Sequence, residues 1–320
     1  MQYLEGKEVS DLFDESMEAM PVEQRRVYYH HKLREIVDYA YKNAPAIKDK
    51  FDRAGIEPKQ IQDIKDLERV PITRKGDLIR RQKESPPFGG FLARPRQSIR
   101  WAWCAPGPIY EPWEQEGEYL AGLKMFHAAG FREGDAVINT FDYSMIMCLM
   151  ADDWLGRLKA TVVAAGTGNT ELQVEIMRHM KVTGYVGTPS FLMTLINKAE
   201  SKGYNFHRDF ALRKAWLTAE MLPLSLRKTF EEVYHLQTSQ GYGTSETGFL
   251  AYECPQKMGM HIPEEVILEV VDSETGKQLG PGEVGEIVAT PLIPAFPLIR
   301  YGTGDLSFYT NEPCSCGRTS

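Results

Sequence analysis

The 320-residue sequence has no long hydrophobic run, no excess of positive charge and only five cysteines. Its longest apolar stretches, such as residues 145–150, are far shorter than the roughly 20 residues that a membrane-spanning helix needs. The net charge of -7 argues against a nucleic acid or an anionic membrane as the main partner, since both attract Lys- and Arg-rich surfaces. The first residues show no basic segment followed by an apolar one, so no signal peptide is evident. We therefore expect a cytoplasmic protein whose cysteines are thiols or metal ligands rather than disulfides.

Hydrophobic periodicity predicts the fold class. Apolar residues from Leu33 to Tyr41 recur at helical spacing, and Pro45 should end that helix. From Asp135 onward, helical stretches separate short β-like runs, which lie at 136–140, 161–164, 185–187, 215–217 and 236–239. Such alternation favours an α/β fold with a doubly wound, mostly parallel sheet. Ligands of these sheets bind at the carboxyl ends of the strands.

The pattern changes after Met260. Apolar residues alternate through 266–271, turns follow at 272–276 and 280–282, and another strand is expected at 286–290. This is the pattern of a small antiparallel β unit. We therefore divide the chain into a helical leading segment (1–85), a doubly wound α/β core (86–255) and the β unit (256–320).

Two Gly- and Thr-rich strings carry the chemistry. Gly241-Tyr-Gly-Thr-Ser-Glu-Thr-Gly248 places an aromatic ring, hydroxyls and a carboxylate on a glycine-rich loop, and Arg300-Tyr-Gly-Thr-Gly-Asp305 offers a second carboxylate. The ring can stack on a base, the hydroxyls can donate to phosphate oxygens, and the carboxylate can hold Mg²⁺. Taken alone, such strings are more often ordinary turns.

Together the two strings resemble the motifs Tyr-Gly-x-Ser/Thr-Glu and Arg-Thr-Gly-Asp of the acyl-adenylate-forming superfamily. Further matching strings occur in the family's order at 33–45, 70–78, 168–171, 187–190, 218–220, 259–263 and 314–318. They make the chain most similar to the phenylacetate–CoA ligase family. The resemblance implies a large adenylate-forming N-terminal domain. It also implies activation of an aryl or arylacetic acid with ATP, followed by thioester formation with CoA.

The resemblance also implies a role for each matched residue. Ser245 would touch the α-phosphate, Glu246 would hold Mg²⁺, and Asp305 would accept hydrogen bonds from the ribose hydroxyls. The nucleotide-binding residues implied are Thr218, Ala219, Glu220, Gly241, Tyr242, Gly243, Thr244 and Asp305, with the Tyr242 ring stacked on adenine. The plainer alternatives are a core aromatic at Tyr242 and a turn cap at Asp305.

The acyl pocket is less clear in the sequence. Phe141 and Tyr143 fall where relatives carry an aromatic-rich segment that lines the hydrophobic tail of the acid. An aryl or arylacetic acid would fit such a segment. Ordinary core packing is the alternative, because most aromatic residues lie in the core.

The sequence departs from the family at the phosphate loop. Where relatives have Ser-Ser-Gly-Thr-Thr-Gly-x-Pro, this chain has Ala105-Pro-Gly-Pro-Ile-Tyr-Glu-Pro112. Two prolines remove backbone donors, and Glu111 would repel a polyphosphate. We therefore predict that AMP or an acyl-AMP binds better than ATP. Two smaller departures are Gly302 in place of arginine and Thr218 in place of glycine.

A further departure concerns the family's C-terminal domain, which would begin beyond Ser320. Its absence from this sequence would mean either a fragment or a separate chain that supplies the domain, and a homodimer is also possible. Two functions stay open. One is an acid–CoA ligase that is impaired or depends on a partner, and the other is a non-catalytic AMP- or acyl-CoA-binding protein derived from that family.

Three cysteines and one histidine could hold a metal. Cys254 and His261 lie at the start of the β unit, and Cys314 and Cys316 lie near its end. This set suffices for a tetrahedral structural zinc that joins the two ends of the unit. The spacing is not that of a standard zinc finger, and free buried thiols are the alternative.

Overall fold

The computed structural model describes residues 11–114 and 120–320, which form a mixed α/β structure. The helices are α1 Glu15–Glu18, α2 Val22–Asn43, α3 Pro45–Ala54, α4 Lys75–Glu84, α5 Ala121–Ala128, α6 Ile146–Arg157, α7 Thr170–His179, α8 Pro189–Ser201, α9 Phe206–Asp209 and α10 Leu224–Lys228. The strands are β1 Ile99–Ala105, β2 Ile109–Glu114, β3 Ala136–Asn139, β4 Thr161–Ala164, β5 Gly184–Gly187, β6 Lys214–Leu217, β7 Gln237–Thr244, β8 Gly248–Glu253, β9 Met260–His261, β10 Val266–Val271, β11 Gly285–Pro291 and β12 Tyr301–Ser307.

The predicted end of α2 is confirmed, and the chain immediately starts another helix. Ala44 adopts an extended conformation, as residues before proline do, and Pro45 is the first residue of α3. Gly55 then ends α3 in the left-handed region at φ 65°. The leading helices therefore turn back on one another and can present their apolar faces to one core.

A seven-stranded sheet forms the centre of the molecule, with the strand order β4-β3-β5-β6-β7-β8-β9. The pairs from β4 to β7 are parallel, whereas β7–β8 and β8–β9 are antiparallel. Hydrophobic cores cover both faces. One includes Phe126 and Trp154, and the other includes Leu192 and Phe230. The predicted doubly wound, mostly parallel sheet is confirmed.

Strands β10, β11 and β12 form a separate antiparallel sheet, as predicted for the β unit. Its residues Ile267 and Tyr301 share a core with Leu33 and Phe51 of the leading helices. The first and last segments of the chain therefore pack together, and the proposed three-part division stays a prediction. No helix within 11–114 and 120–320 is both long and apolar enough to cross a membrane.

The expected loop at Gly241–Gly248 is wrong in its first half. Residues Gly241–Thr244 continue β7 and pair with β8, so that only the turn at 245–247 is a loop. A β-carbon at Gly241 would lie 2.3 Å from Trp216, and one at Gly243 would lie 2.4 Å from the Gly248 carbonyl oxygen. These glycines permit close packing of a strand rather than flexibility of a loop.

Candidate nucleotide site and metal centre

The residues predicted to surround the base lie at the carboxyl ends of two neighbouring parallel strands. Thr218 follows β6, and its hydroxyl donates a 2.7 Å hydrogen bond to the Gly241 carbonyl oxygen in β7. Ala219 then adopts φ +70°, and the Glu220 carboxylate accepts a 2.6 Å hydrogen bond from the Ser190 amide. The segment 218–220 is thus fixed against the sheet where a ligand of such a fold would bind.

Tyr242 and Asp305 join the two motifs, although they lie 63 residues apart in the chain. The Tyr242 hydroxyl donates a 2.7 Å hydrogen bond to Asp305 Oδ2. Burial, more than the Asp305 charge, raises the pKa of the Tyr242 phenol well above its usual range, so the phenol remains the donor. The half-buried ring and the exposed carboxylate therefore lie side by side, as base and ribose contacts would require.

Ser245 and Glu246 occupy the β7–β8 turn beside this pair. The Glu246 side chain is only 4% exposed, and its Oε1 atom lies 3.1 Å from Lys75 Nζ. Burial first, and then the Glu246 charge, raise the pKa of the neighbouring Tyr301 phenol. A carboxylate with hydroxyls beside it is a hard-oxygen donor set of the kind that suits Mg²⁺ together with phosphate oxygens.

A cavity of about 100 Å³ opens beside the turn. Ser245, Glu246 and Glu111 lie on its polar side, and Trp113 and Ile146 are among its apolar wall residues. The lining residues do not include Phe141 or Tyr143. Phe141 packs in a hydrophobic core, and the Tyr143 hydroxyl donates a 2.8 Å hydrogen bond to Asp152. Their predicted role in an acyl pocket stays a prediction.

The four predicted metal ligands meet at one point. The ligand atoms of Cys254, His261, Cys314 and Cys316 all lie within 4.8 Å of one another. The Cys254–Cys314 sulfur distance is 3.7 Å, and the distance from Cys316 Sγ to His261 Nε2 is 3.3 Å. A tetrahedral zinc with ordinary Zn–S and Zn–N bonds requires separations of about 3.8 and 3.6 Å. The donor set therefore fits zinc in both chemistry and spacing.

Neighbouring groups orient the histidine for this role. His261 Nδ1 lies 2.6 Å from the Ser320 carbonyl oxygen, an arrangement that places the proton on Nδ1 and leaves Nε2 free to face the cysteines. Burial lowers the pKa of the His261 imidazole, which favours the neutral form that binds metals. Burial also raises the pKa of the Cys254 thiol to about 12, so that without a cation this sulfur would stay protonated.

Comparison with known proteins identifies the family of this chain. A family model described as AMP-binding enzyme matches residues 117–290. The phenylacetate–coenzyme A ligase of Thermus thermophilus is 33% identical over 96% of this chain and 71% of its own length. The corresponding ligase of Pseudomonas putida is 30% identical over 91% of this chain and 68% of its own length. The chain belongs to the phenylacetate–CoA ligase family of AMP-binding enzymes.

Solved structures agree with this assignment. An open conformation of 2-hydroxyisobutyryl-CoA ligase, in complex with 2-HIB-AMP and CoA, superposes with a TM-score of 0.92 at 26% identity, over 99% of this chain and 77% of that one. The same ligase in its postadenylation state, with R3-HIB-AMP, also gives 0.92 at 27% identity, over 99% and 70%. A long-chain fatty acid–CoA ligase of Archaeoglobus fulgidus, at 18% identity and a TM-score of 0.54, shares the fold.

The segment expected at the position of the phosphate loop forms a β hairpin. Residues 105–112 form the end of β1, a tight turn and most of β2, with Ala105 paired to Ile109 and Trp103 to Glu111. The Glu111 side chain points inward and the residue is only 3% exposed. Neither of its carboxyl oxygens has a hydrogen-bond partner among the described residues. Burial, and then the Glu246 charge, raise the pKa of the Glu111 carboxyl to about 8.

Arg74 lies beside Gly302, the position where the family motif tends to have arginine. A β-carbon at Gly302 would lie 2.4 Å from Arg74 Nη1 and 2.7 Å from Glu286 Oε1. Arg74 forms an ion pair with Glu286, whose Oε1 atom also accepts a 3.1 Å hydrogen bond from the Gly304 amide. A guanidinium from the leading segment therefore occupies the space beside Gly302. In the sequence, the only sign of this arrangement was the glycine at position 302, where the family motif tends to have arginine.

Proposed function

We propose that this protein is an acid–CoA ligase, impaired or dependent on a partner, that activates an aryl or arylacetic acid with ATP and then forms a thioester with CoA. The observation that carries the proposal is the contact between Tyr242 and Asp305, which joins the two nucleotide motifs beside Ser245 and Glu246. Family membership supplies the reaction type. The site supplies a ring for the base, a carboxylate for the ribose and polar groups at the phosphate position.

The chemistry would proceed in two displacements. First, a carboxylate oxygen of the acid attacks the α-phosphorus of ATP, and pyrophosphate leaves. Asp305 would hold the ribose by accepting hydrogen bonds from its two hydroxyl groups, and the Ser245 hydroxyl would donate to an α-phosphate oxygen. Mg²⁺ held by Glu246 would neutralise charge on the phosphate oxygens. The CoA sulfur then attacks the acyl carbonyl carbon, and AMP leaves.

A variant pair tests this assignment. The protein, supplied with ATP, Mg²⁺, CoA and phenylacetate or benzoate, should release AMP in amounts that depend on the acid, and chromatography would measure this release. Glu246→Gln should lower the rate by a factor on the order of 10², as expected for loss of a charge-stabilising group. Glu312→Gln, at an exposed carboxylate, should leave the rate unchanged. Acid-dependent AMP release at the wild-type rate in Glu246→Gln would contradict the assigned role.

The second candidate is a non-catalytic protein that binds AMP or acyl-CoA. The β1–β2 hairpin favours it, because its turn carries Pro106 and Pro108 where a phosphate loop needs free N–H donors. We propose on the same ground that AMP binds more tightly than ATP. Absence of acid-dependent AMP release by a protein that binds AMP would support this candidate over the ligase.

We also propose a structural zinc at Cys254, His261, Cys314 and Cys316, supported by the spacing of the four ligand atoms. The ion would fasten the chain that follows β12 to β8 and β9, because Cys254 follows β8 and His261 lies in β9. Metal analysis of untagged protein should give about one zinc per chain. A cytoplasmic location, a homodimer and a separate chain that supplies the family's C-terminal domain remain predictions from the sequence.

A further inference from the structure

Glu111 is a buried carboxyl group that the proposed reaction does not use. It is 3% exposed, and neither of its oxygens has a hydrogen-bond partner in the described parts of the chain. Leaving a buried polar group unsatisfied costs free energy, so that such a group in a native structure calls for a ligand that would satisfy it. The charge of Glu246 disfavours ionisation of Glu111, and the charge of Lys75 opposes that effect.

The surroundings of Glu111 are those of a small-molecule pocket. It lines the same cavity as Ser245 and Glu246, and other walls of that cavity are formed by Trp113, Met150 and Phe296. Apolar walls with a few convergent polar groups are typical of ligand sites. The cavity measures about 100 Å³, which is enough for a small polar substituent and the atoms next to it.

Another carboxyl group in the cavity wall provides a contrast. Glu114 lines the same cavity, but its Oε1 atom lies 3.2 Å from the Arg94 guanidinium. Its charge is therefore compensated within the protein. Of these two residues on β2, only Glu111 is left to be satisfied by something that enters the cavity.

We propose that the Glu111 carboxyl binds a hydrogen-bond donor, an amino or a hydroxyl group, carried by the acid substrate. This inference rests on the proposed ligase function, because it places the acid between Ser245 and the apolar walls. A carboxyl group offers at least one acceptor oxygen in either protonation state, so both kinds of donor can be bound. A purely apolar acid would leave Glu111 unsatisfied, and sites built to bind a polar group reject analogues that lack it.

The test compares acids that differ only in one substituent. Calorimetry in saturating AMP would measure the affinities of phenylacetates that carry a methyl, hydroxymethyl or aminomethyl group at position 3 or 4 of the ring. We expect at least one donor-bearing acid to bind on the order of tenfold more tightly than its methyl analogue. Glu111→Leu should reduce that preference to less than twofold and leave AMP affinity unchanged, whereas Glu114→Gln should retain it.

Glu111→Gln provides a second variant of the same shape. It should keep the preference for a hydroxymethyl group, because its amide oxygen still accepts, and should lose any additional preference for the charged aminomethyl group. Comparison of the two substituents thus distinguishes a neutral donor from an ammonium group.

Two results would overturn the inference alone: AMP binding with no preference for a donor, or a preference that survives in Glu111→Leu. A rise in wild-type melting temperature with Mg²⁺ alone, absent in Glu111→Leu, would identify a cation as the occupant and also overturn it. If neither AMP nor any acid binds, the proposed function fails as well.

Discussion

Replacement of Glu111 by glutamine should change the pH dependence of stability. Burial and the Glu246 charge raise the pKa of the Glu111 carboxyl from 4.5 to about 8 in the folded protein. The folded state therefore binds a proton that the unfolded state releases above pH 4.5. The stabilisation that this proton provides is fully present below pH 4.5 and is lost as the pH rises toward 8. Glutamine resembles the neutral carboxyl and does not titrate.

The magnitude follows from the difference between the two pKa values. A tenfold change in proton affinity corresponds to about 1.4 kcal/mol, so the free energy of unfolding of Glu111→Gln, relative to wild type, should rise by about 3.5 kcal/mol between pH 5 and pH 8. Any loss of packing caused by the amide is independent of pH and cancels in this comparison.

Urea denaturation followed by tryptophan fluorescence at pH 5, 6, 7 and 8 would measure this difference. Glu312→Gln is the control, because that carboxylate is exposed, and its difference from wild type should stay constant. A group that binds its proton more tightly in the folded state must make stability depend on pH. If the free energy of unfolding of Glu111→Gln, relative to wild type, varies by less than about 0.5 kcal/mol between pH 5 and pH 8, the carboxyl group of Glu111 is not buried without a partner.

Three further outcomes test other parts of the site. Asp305→Ala should weaken AMP binding by about 1.5–3 kcal/mol without unfolding the exposed end of its strand, and unchanged affinity in calorimetry would show that the motif is misassigned. Gly302→Arg should weaken AMP binding because Arg74 fills the adjacent space. Addition of Arg74→Ala to that variant should restore the affinity for AMP, and equal losses of affinity in the single and double variants would refute this reasoning. Cys316→Ser should lower the zinc content well below that of the wild type in metal analysis, and an unaltered content would exclude this ligand.

The sequence predicted the elements whose signals are local or carried by motifs. The parallel strands at 136–139 and 161–164 could be predicted because short β-branched runs alternate with helices. Tyr242 and Asp305 were assigned to one nucleotide site because both lie in matched motifs, and the structure brings their side chains within 2.7 Å. The meeting of Cys254 with Cys314 followed from cysteines placed at both ends of one β unit.

Features that depend on distant packing could not be predicted. The glycines at 241 and 243 suggested a flexible loop, but they are needed because Trp216 and the Gly248 carbonyl oxygen approach the strand too closely for a side chain. Glu111 was expected to face phosphate, yet strand pairing turns it into the interior. Arg74 reaches Glu286 across 212 residues of sequence, and no local pattern encodes that contact.

The most direct test of the account is calorimetric titration of the protein with AMP and with ATP, each with Mg²⁺ in the same buffer. Both nucleotides should bind at the site of Tyr242 and Asp305, and AMP should bind more tightly. The expected reason is that the groups proposed to contact the base, ribose and α-phosphate lie together, whereas the hairpin with Pro106 and Pro108 would offer few donors to the outer phosphates. Absence of AMP binding, or ATP binding as tight as that of AMP, would contradict it.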